Sequence, residues 1–228
     1  MLGVLAASEC ILTKRQRELG VAVLNIGAAT SSLLVLEEGD VIHTAVLPIG
    51  SGHITNDIAI GLRTSIDVAE KVKLEYGSSL PKEIHKREEI DLSEVSAQES
   101  GRVSQKHVAE IIEARLEEIF SMVEKELKKI NRSGLLPAGV VLTGGGAKLP
   151  GIVETAKSIF RLPCHIGYPL EVITAIDKIN DPTFTTAIGL VLWGSELSPK
   201  ISRMSLKGFS SVKEVTGKMK KWFKSLMP

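Results

Sequence analysis

The chain has 228 residues, 28 Lys and Arg against 27 Asp and Glu, and 43% hydrophobic and 24% charged residues, an ordinary globular composition with room for one large core or two modest ones. A net charge of +1 and only 4% aromatic residues argue against a nucleic-acid partner, which needs a basic stripe and stacking surfaces. Cys10 and Cys164 are far apart in no metal-ligand spacing and the five histidines are scattered, which excludes a disulfide framework and a zinc site and fits a reducing cytoplasm, while no apolar run reaches the ~20 residues of a membrane span and the N-terminus lacks the order of a signal peptide.

Residues 1–19 read as helical and lead through Gly20 into Val21-Ala22-Val23-Leu24, a run suited to burial on both faces of a sheet. After Asn25 to Thr30, the run Ser31 to Leu36, the turn Glu37-Glu38-Gly39-Asp40 and the run Val41 to Leu47 predict a hairpin. Two short helices are predicted over Ile54 to Leu62 and Ser65 to Tyr76, and polar strands over Glu83 to Val95. Ser104 is placed to cap a long amphipathic helix whose Val108, Ile111, Ile112, Leu116, Ile119, Phe120, Val123 and Leu127 share one face up to the turn at Asn131 to Gly134. Gly139 to Leu142 reads as a second buried strand, ending in Thr143-Gly144-Gly145-Gly146-Ala147, with a helix from about Gly151 to Phe160 beyond. Residues 183–194 predict a closing helix in which Ala187 and Gly189 allow close packing, and 195–210 a flexible, mildly basic linker.

In the last segment, 211–228, Val212, Val215, Met219, Trp222, Phe223 and Leu226 recur at three- and four-residue steps, which puts them on one helical arc of roughly 100°. Opposite them stand Lys213, Lys218, Lys220, Lys221 and Lys224 against the single Glu214, so the segment carries net +4. Such a helix lies in a bilayer interface, aromatic side down with its lysines among anionic headgroups, and does not span. One copy holds weakly, and self-association of the folded part would make attachment firm. Docking on its own domain or in a partner's groove is the other reading of the same pattern.

Each glycine turn alone signifies little, because most such turns only reverse the chain. Paired, they mean more: Asn25-Ile26-Gly27-Ala28-Ala29-Thr30 follows one buried strand and Thr143 to Ala147 another, so both fall at carboxyl ends of strands, where ligands bind. Together the stretch from Gly20 to Gly77, the later GVVLTGGGAKLPGIVETAKSIF and the tail KMKKWFKSLMP resemble FtsA, the actin-like bacterial cell-division family, in order and spacing over nearly the whole chain.

The resemblance implies an α/β actin-like ATPase (ribonuclease H-like) lobe, its core at 1–49 and 133–194 and a small α+β insertion subdomain at 50–132, followed by the linker and a membrane-targeting helix at 211–228. It implies ATP as ligand, with the second phosphate loop on Asn25, Gly27, Ala28, Ala29 and Thr30 and the adenosine contacts on Gly144, Gly145, Gly146 and Lys148. Glu70 and Lys73, in AEKVKLEYG, match positions that meet ribose and base, although a solvated helix face would use the same residue types. The implied role is to tether filaments of the tubulin-like protein FtsZ to anionic lipid on the cytoplasmic face of the inner membrane, through the insertion subdomain and with nucleotide-tuned self-association. The related scaffold of type IV pilus assembly and a metabolite kinase of the same superfamily are the alternatives, the kinase lacking a carboxylate base near the phosphates.

Two departures qualify this. The family pattern at the phosphate loop is D-I-G-G-G-T, and Asn25, Ala28 and Ala29 replace one acid and two glycines. An amide supplies no negative charge for hydrated magnesium, so metal-dependent hydrolysis is not expected, and β-carbons at 28 and 29 would be strained wherever positive φ is needed. The family's first lobe, with its own phosphate hairpin, has no counterpart in these residues, which leads to the expectation of a fragment or truncated product with poor ATP affinity on its own.

Overall fold

The computed structural model describes residues 2–170 and 179–197. The expected linker beyond Leu197 and the whole 211–228 segment lie outside these residues.

The strand Val21–Ile26 (β1) lies at the centre because it is apolar on both sides: Ala22, Leu24 and Ile26 enter one core and Val21 and Val23 another, all with no exposure. It pairs antiparallel with Ser31–Glu37 (β2), which pairs antiparallel with Asp40–Leu47 (β3). On its other side it pairs parallel with Val140–Thr143 (β6), which pairs parallel with Cys164–Ile166 (β7), giving the order β3-β2-β1-β6-β7. The hairpin turn places Glu38 at φ 55° and Gly39 at φ 84°, the double positive φ of a two-residue turn matched to strand twist.

Helices cover both faces of this sheet, making three layers. On one side lie Ser51–Leu62 (α3), Ile66–Tyr76 (α4), Gln105–Lys129 (α6) and Ile152–Phe160 (α7), which share a core with the sheet through Ile54, Ile58, Val72, Ile112, Leu116, Phe120 and Phe160. The Phe120 and Phe160 rings tilt at 58° with centroids 5.2 Å apart. The helix α6 starts where the sequence predicts, with Ser104 Oγ accepting the His107 N–H, and of its apolar stripe only Ile111 is less than fully buried. Arg115 on α6 holds both Asp57 oxygens on α3, at 2.5 and 2.7 Å.

On the opposite side, Gly3–Ile11 (α1) and Thr185–Leu197 (α8) cover Val21, Val23, Leu34, Leu36 and Val141. A β-carbon at Gly189 would stand 1.7 Å from the Ala6 carbonyl oxygen, so α8 lies on α1 backbone to backbone, as the small residues predicted. Lys14–Leu19 (α2), capped by the reciprocal pair Thr13 and Gln16, connects α1 to β1.

Residues Met1–Leu192 form one compact unit. Within it the sequence misreads Glu83 to Val95: only Glu89–Asp91 (β4) is strand, paired antiparallel with Arg102–Ser104 (β5). Asp91 Oδ1 accepts the Ser93 N–H at 3.0 Å and starts a single helical turn at Leu92–Val95 (α5), so capping chemistry outweighs the polar alternation there.

Candidate functional site

Parallel pairing of β1 with β6 puts Asn25 directly opposite Thr143, so the two glycine turns leave the sheet side by side. The first, Gly27 to Thr30, is closed by the Gly27 N–H donating to Thr30 O at 2.9 Å. It is then gripped by the start of α3, where the Ser51 and Gly52 amides each donate at 2.8 Å to the Gly27 and Ala28 carbonyls. Contact is close enough that a β-carbon at Gly50 would lie 2.5 Å from Gly27 O. Ala28 and Ala29 lie outside the left-handed region, so the strain foreseen for their β-carbons is absent; both are exposed, as is Thr30.

The second turn needs its glycines for different reasons. Gly144 sits at φ 86°, and an added β-carbon would stand 2.4 Å from Asn25 Oδ1 and 2.6 Å from Ile26 O, so no other residue fits beside β1. Gly146 is similarly pressed on Ile26 Cγ2, at 2.4 Å, whereas at Gly145 the nearest atom is Thr183 Cγ2 at 3.7 Å. Gly145–Lys148 forms a single 3-10 turn rather than feeding directly into a long helix. Across from it Lys148 Nζ donates to Asp181 Oδ2 at 2.6 Å, while Asp181 Oδ1 accepts the Thr183 N–H at 2.9 Å and its hydroxyl at 2.7 Å. The Lys148 ammonium, with these Thr183 bonds, holds the Asp181 carboxyl down at about 2.

Helix α4 supplies the third wall. Ser65 caps it, accepting the Val68 N–H, and the i, i+3 spacing puts Glu70 and Lys73 on one face. Lys73 Nζ donates to Glu70 Oε2 at 2.6 Å and to Thr55 Oγ1 on α3 at 2.7 Å, and the Thr55 hydroxyl donates in turn to Glu70 Oε2 at 2.5 Å. The lysine side chain is only 9% exposed and Glu70 43%, so Lys73 is not the freely solvated face residue its sequence alone permits. Partial burial pushes the Glu70 carboxyl up, but the bonds from Lys73 and Thr55 outweigh it and hold it below its usual value.

These walls enclose a pocket of about 300 Å³ lined by Glu70, Lys73, Gly145, Gly146, Lys148 and Ser51, with Ile54, Leu74, Leu149, Pro150 and Thr183. Five of the residues singled out from the sequence thus face one cavity. Gly144 is spent on the β1 contact, and Asn25 to Thr30 do not line the pocket but adjoin it through Ser51. Sequence reasoning missed Thr55, Ser51, Thr183 and Asp181; only the Asp-Pro-Thr at 181–183, a helix-start pattern, carried a signal. A larger groove of about 380 Å³ between α3 and α6, lined by Asp57, Ile60, His107 and Arg115, holds none of the predicted residues.

The pocket lies at the low end of the ~300–1,000 Å³ of small-molecule sites. Apolar Ile54, Leu74, Leu149 and Pro150 offer a flat base its faces, Glu70 offers acceptors for hydroxyls, and Lys73 and Lys148 offer positive charge. That set fits a nucleoside with phosphates beyond it. Where the family pattern has an acid stands the Asn25 amide, which brings no negative charge to a hydrated magnesium ion, and its nitrogen donates to Thr186 Oγ1 at 3.1 Å.

The family described as cell division protein FtsA matches residues 22–189. Curated relatives of that description are 35% identical in Pseudomonas aeruginosa over 97% of this chain and 54% of the relative, 33% in Escherichia coli K12 over 97% and 53%, and 35% in Bacillus subtilis over 82% and 41%. The chain therefore spans about half the length of the curated relatives it matches. Among solved structures, MreB5 of Spiroplasma citri bound to ADP superposes with a TM-score of 0.67 at 18% identity, covering 89% of this chain and 61% of that one. A PilM–PilN type IV pilus biogenesis complex gives 0.60 at 22%, covering 79% and 47%. Both show the actin-like fold.

Proposed function

The chain belongs to the FtsA family of cell-division proteins, and we propose that it works as a membrane tether for the FtsZ division filament at the cytoplasmic face of the inner membrane, self-associating in response to bound ATP. The single observation that carries the nucleotide part is the pocket itself, which gathers Glu70 and Lys73 from α4 and Gly145, Gly146 and Lys148 from the turn after β6. Solved neighbours of this fold are described as bound to ADP and to AMPPNP, which supports the same ligand class. In this reading Glu70 accepts from ribose hydroxyls, the Gly145 and Gly146 backbone passes close to the nucleoside, Lys148 supplies positive charge, and Ala28 to Thr30 stand on the phosphate side. Bound ATP supplies an anionic group whose presence or loss changes the surface between copies. With an amide at position 25 the lobe binds rather than turns over its nucleotide, so it acts as a scaffold and not an enzyme.

The attachment part rests on sequence. No helix among the described residues is long and apolar enough to cross a membrane, and the arc Val212, Val215, Met219, Trp222, Phe223, Leu226 with its facing lysines supplies a surface anchor. FtsZ is placed on the segment 50–132. Flotation with phosphatidylglycerol vesicles tests the tether: the full chain rises with them and carries FtsZ, and a Trp222→Glu, Phe223→Glu variant stays below. Equal flotation of the variant would refute the tail's role, and vesicles that rise without FtsZ would refute the tether.

A further inference from the structure

The position where the family pattern has an acid does something different here. Asn25 ends β1, and its amide nitrogen donates to the hydroxyl of Thr186, in the first turn of α8. Its register partner Thr143 ends β6 and does the same job one residue earlier, with Oγ1 2.8 Å from Thr185 Oγ1 and 3.2 Å from the Pro182 carbonyl. The Gly144 N–H adds a bond to Pro182 O at 3.1 Å. The start of α8 is therefore sewn to the carboxyl ends of both parallel strands, and Asn25 supplies the stitch from β1. An aspartate could not make that stitch as a donor, because an ionised carboxylate only accepts. The Asn25 oxygen faces Gly144, where only the missing β-carbon leaves it room: one added there would stand 2.4 Å away.

We propose that Asn25 is a positioning residue: its amide fastens α8 to the end of β1, and nucleotide held by this lobe gains no affinity from magnesium. The second half rests on the nucleotide reading above. Hydrated magnesium is held through carboxylates and keeps most of its waters, and Asn25 offers no charge, its amide nitrogen being taken by Thr186. The acid that lines the pocket, Glu70, is engaged by Lys73 and Thr55, and Asp181 beside it by Lys148 and Thr183.

Two measurements on the full chain test the two halves separately. Thermal unfolding of Asn25→Ala, Thr186→Val and the double variant tests the stitch. Each single change lowers the midpoint by about 2–5 °C, and the double change goes no lower than the worse single, since both remove one bond. Additive losses, or an Asn25→Ala protein as stable as wild type, overturn it. Calorimetric ATP binding with magnesium or with EDTA tests the metal half. Wild type binds with the same affinity in both within about twofold, and Asn25→Asp binds at least about tenfold tighter with magnesium. A wild type that needs the metal, or an Asn25→Asp form indifferent to it, overturns that half. If neither form binds ATP, the nucleotide reading itself has failed, and the unfolding cycle still decides the stitch.

Discussion

At the residue scale the three consecutive glycines 144–146 are not equivalent, and alanine separates them. Gly144→Ala meets Asn25 Oδ1 and Ile26 O at 2.4 and 2.6 Å at a φ of 86°, so it should cost about 2–4 kcal/mol in urea unfolding. Gly145→Ala, whose nearest contact is at 3.7 Å, should stay within about 0.5 kcal/mol of wild type while weakening ATP binding by filling the pocket. Asp181 gives a second prediction. Its folded value of about 2 lies below its ordinary value of 3.8, so the Lys148 pair stabilises the fold above that ordinary value and the contribution fades as pH falls towards 2. The stability gap between wild type and Asp181→Asn should therefore be widest above pH ~4.5, narrow towards pH ~2 and close below it; a constant gap would show that the carboxyl charge is not what matters. The partner Asp181 was not legible in the sequence because it lies 33 residues from Lys148, with no periodicity linking them. Glu70 and Lys73 were legible through the family resemblance of AEKVKLEYG, but Thr55, which closes their triangle, comes from a different helix.

At the scale of elements, legibility follows length and pattern. Helix α6 stood out through an apolar stripe repeated over many residues, the hairpin through its glycine turn between two runs, and β6 as an apolar run before the glycines. The strands β5 and β7 have three residues each, too few for any period, and pair only because a neighbour's edge is waiting. The stretch 83–95 was misread because a cap at Asp91 overrides local polarity. Packing predicts which helix faces matter: Phe120→Ala, fully buried against Phe160, should lose about 3–5 kcal/mol, and Glu117→Ala on the exposed side under about 0.5 kcal/mol, both read by urea unfolding. Gly189→Ala should be as damaging as a core truncation, because its β-carbon would lie 1.7 Å from Ala6 O and α8 would have to lift from α1.

At the scale of the molecule, the sheet order explains why the site lies where it does. Antiparallel β2 and β3 feed β1 from one side and parallel β6 and β7 extend it on the other, so the carboxyl ends of β1 and β6 open together beneath α3 and α4. The paired glycine turns announced this arrangement, since two turns after two buried strands have this geometry only if the strands run in parallel. The pocket's outer walls were hidden because they come from α3 and α4, far in sequence from the glycine turn after β6 that they face. The account stands or falls on whether nucleotide enters that pocket, and an amide-resolved NMR titration of the full chain with ATP is the most direct test. Shifts concentrated at Ser51, Lys73, Gly145, Gly146 and Lys148, with Gly101 and Gly134 unmoved, are the predicted result. No saturable shifts, or shifts centred on Ile60, His107 and Arg115 in the groove between α3 and α6, would contradict it.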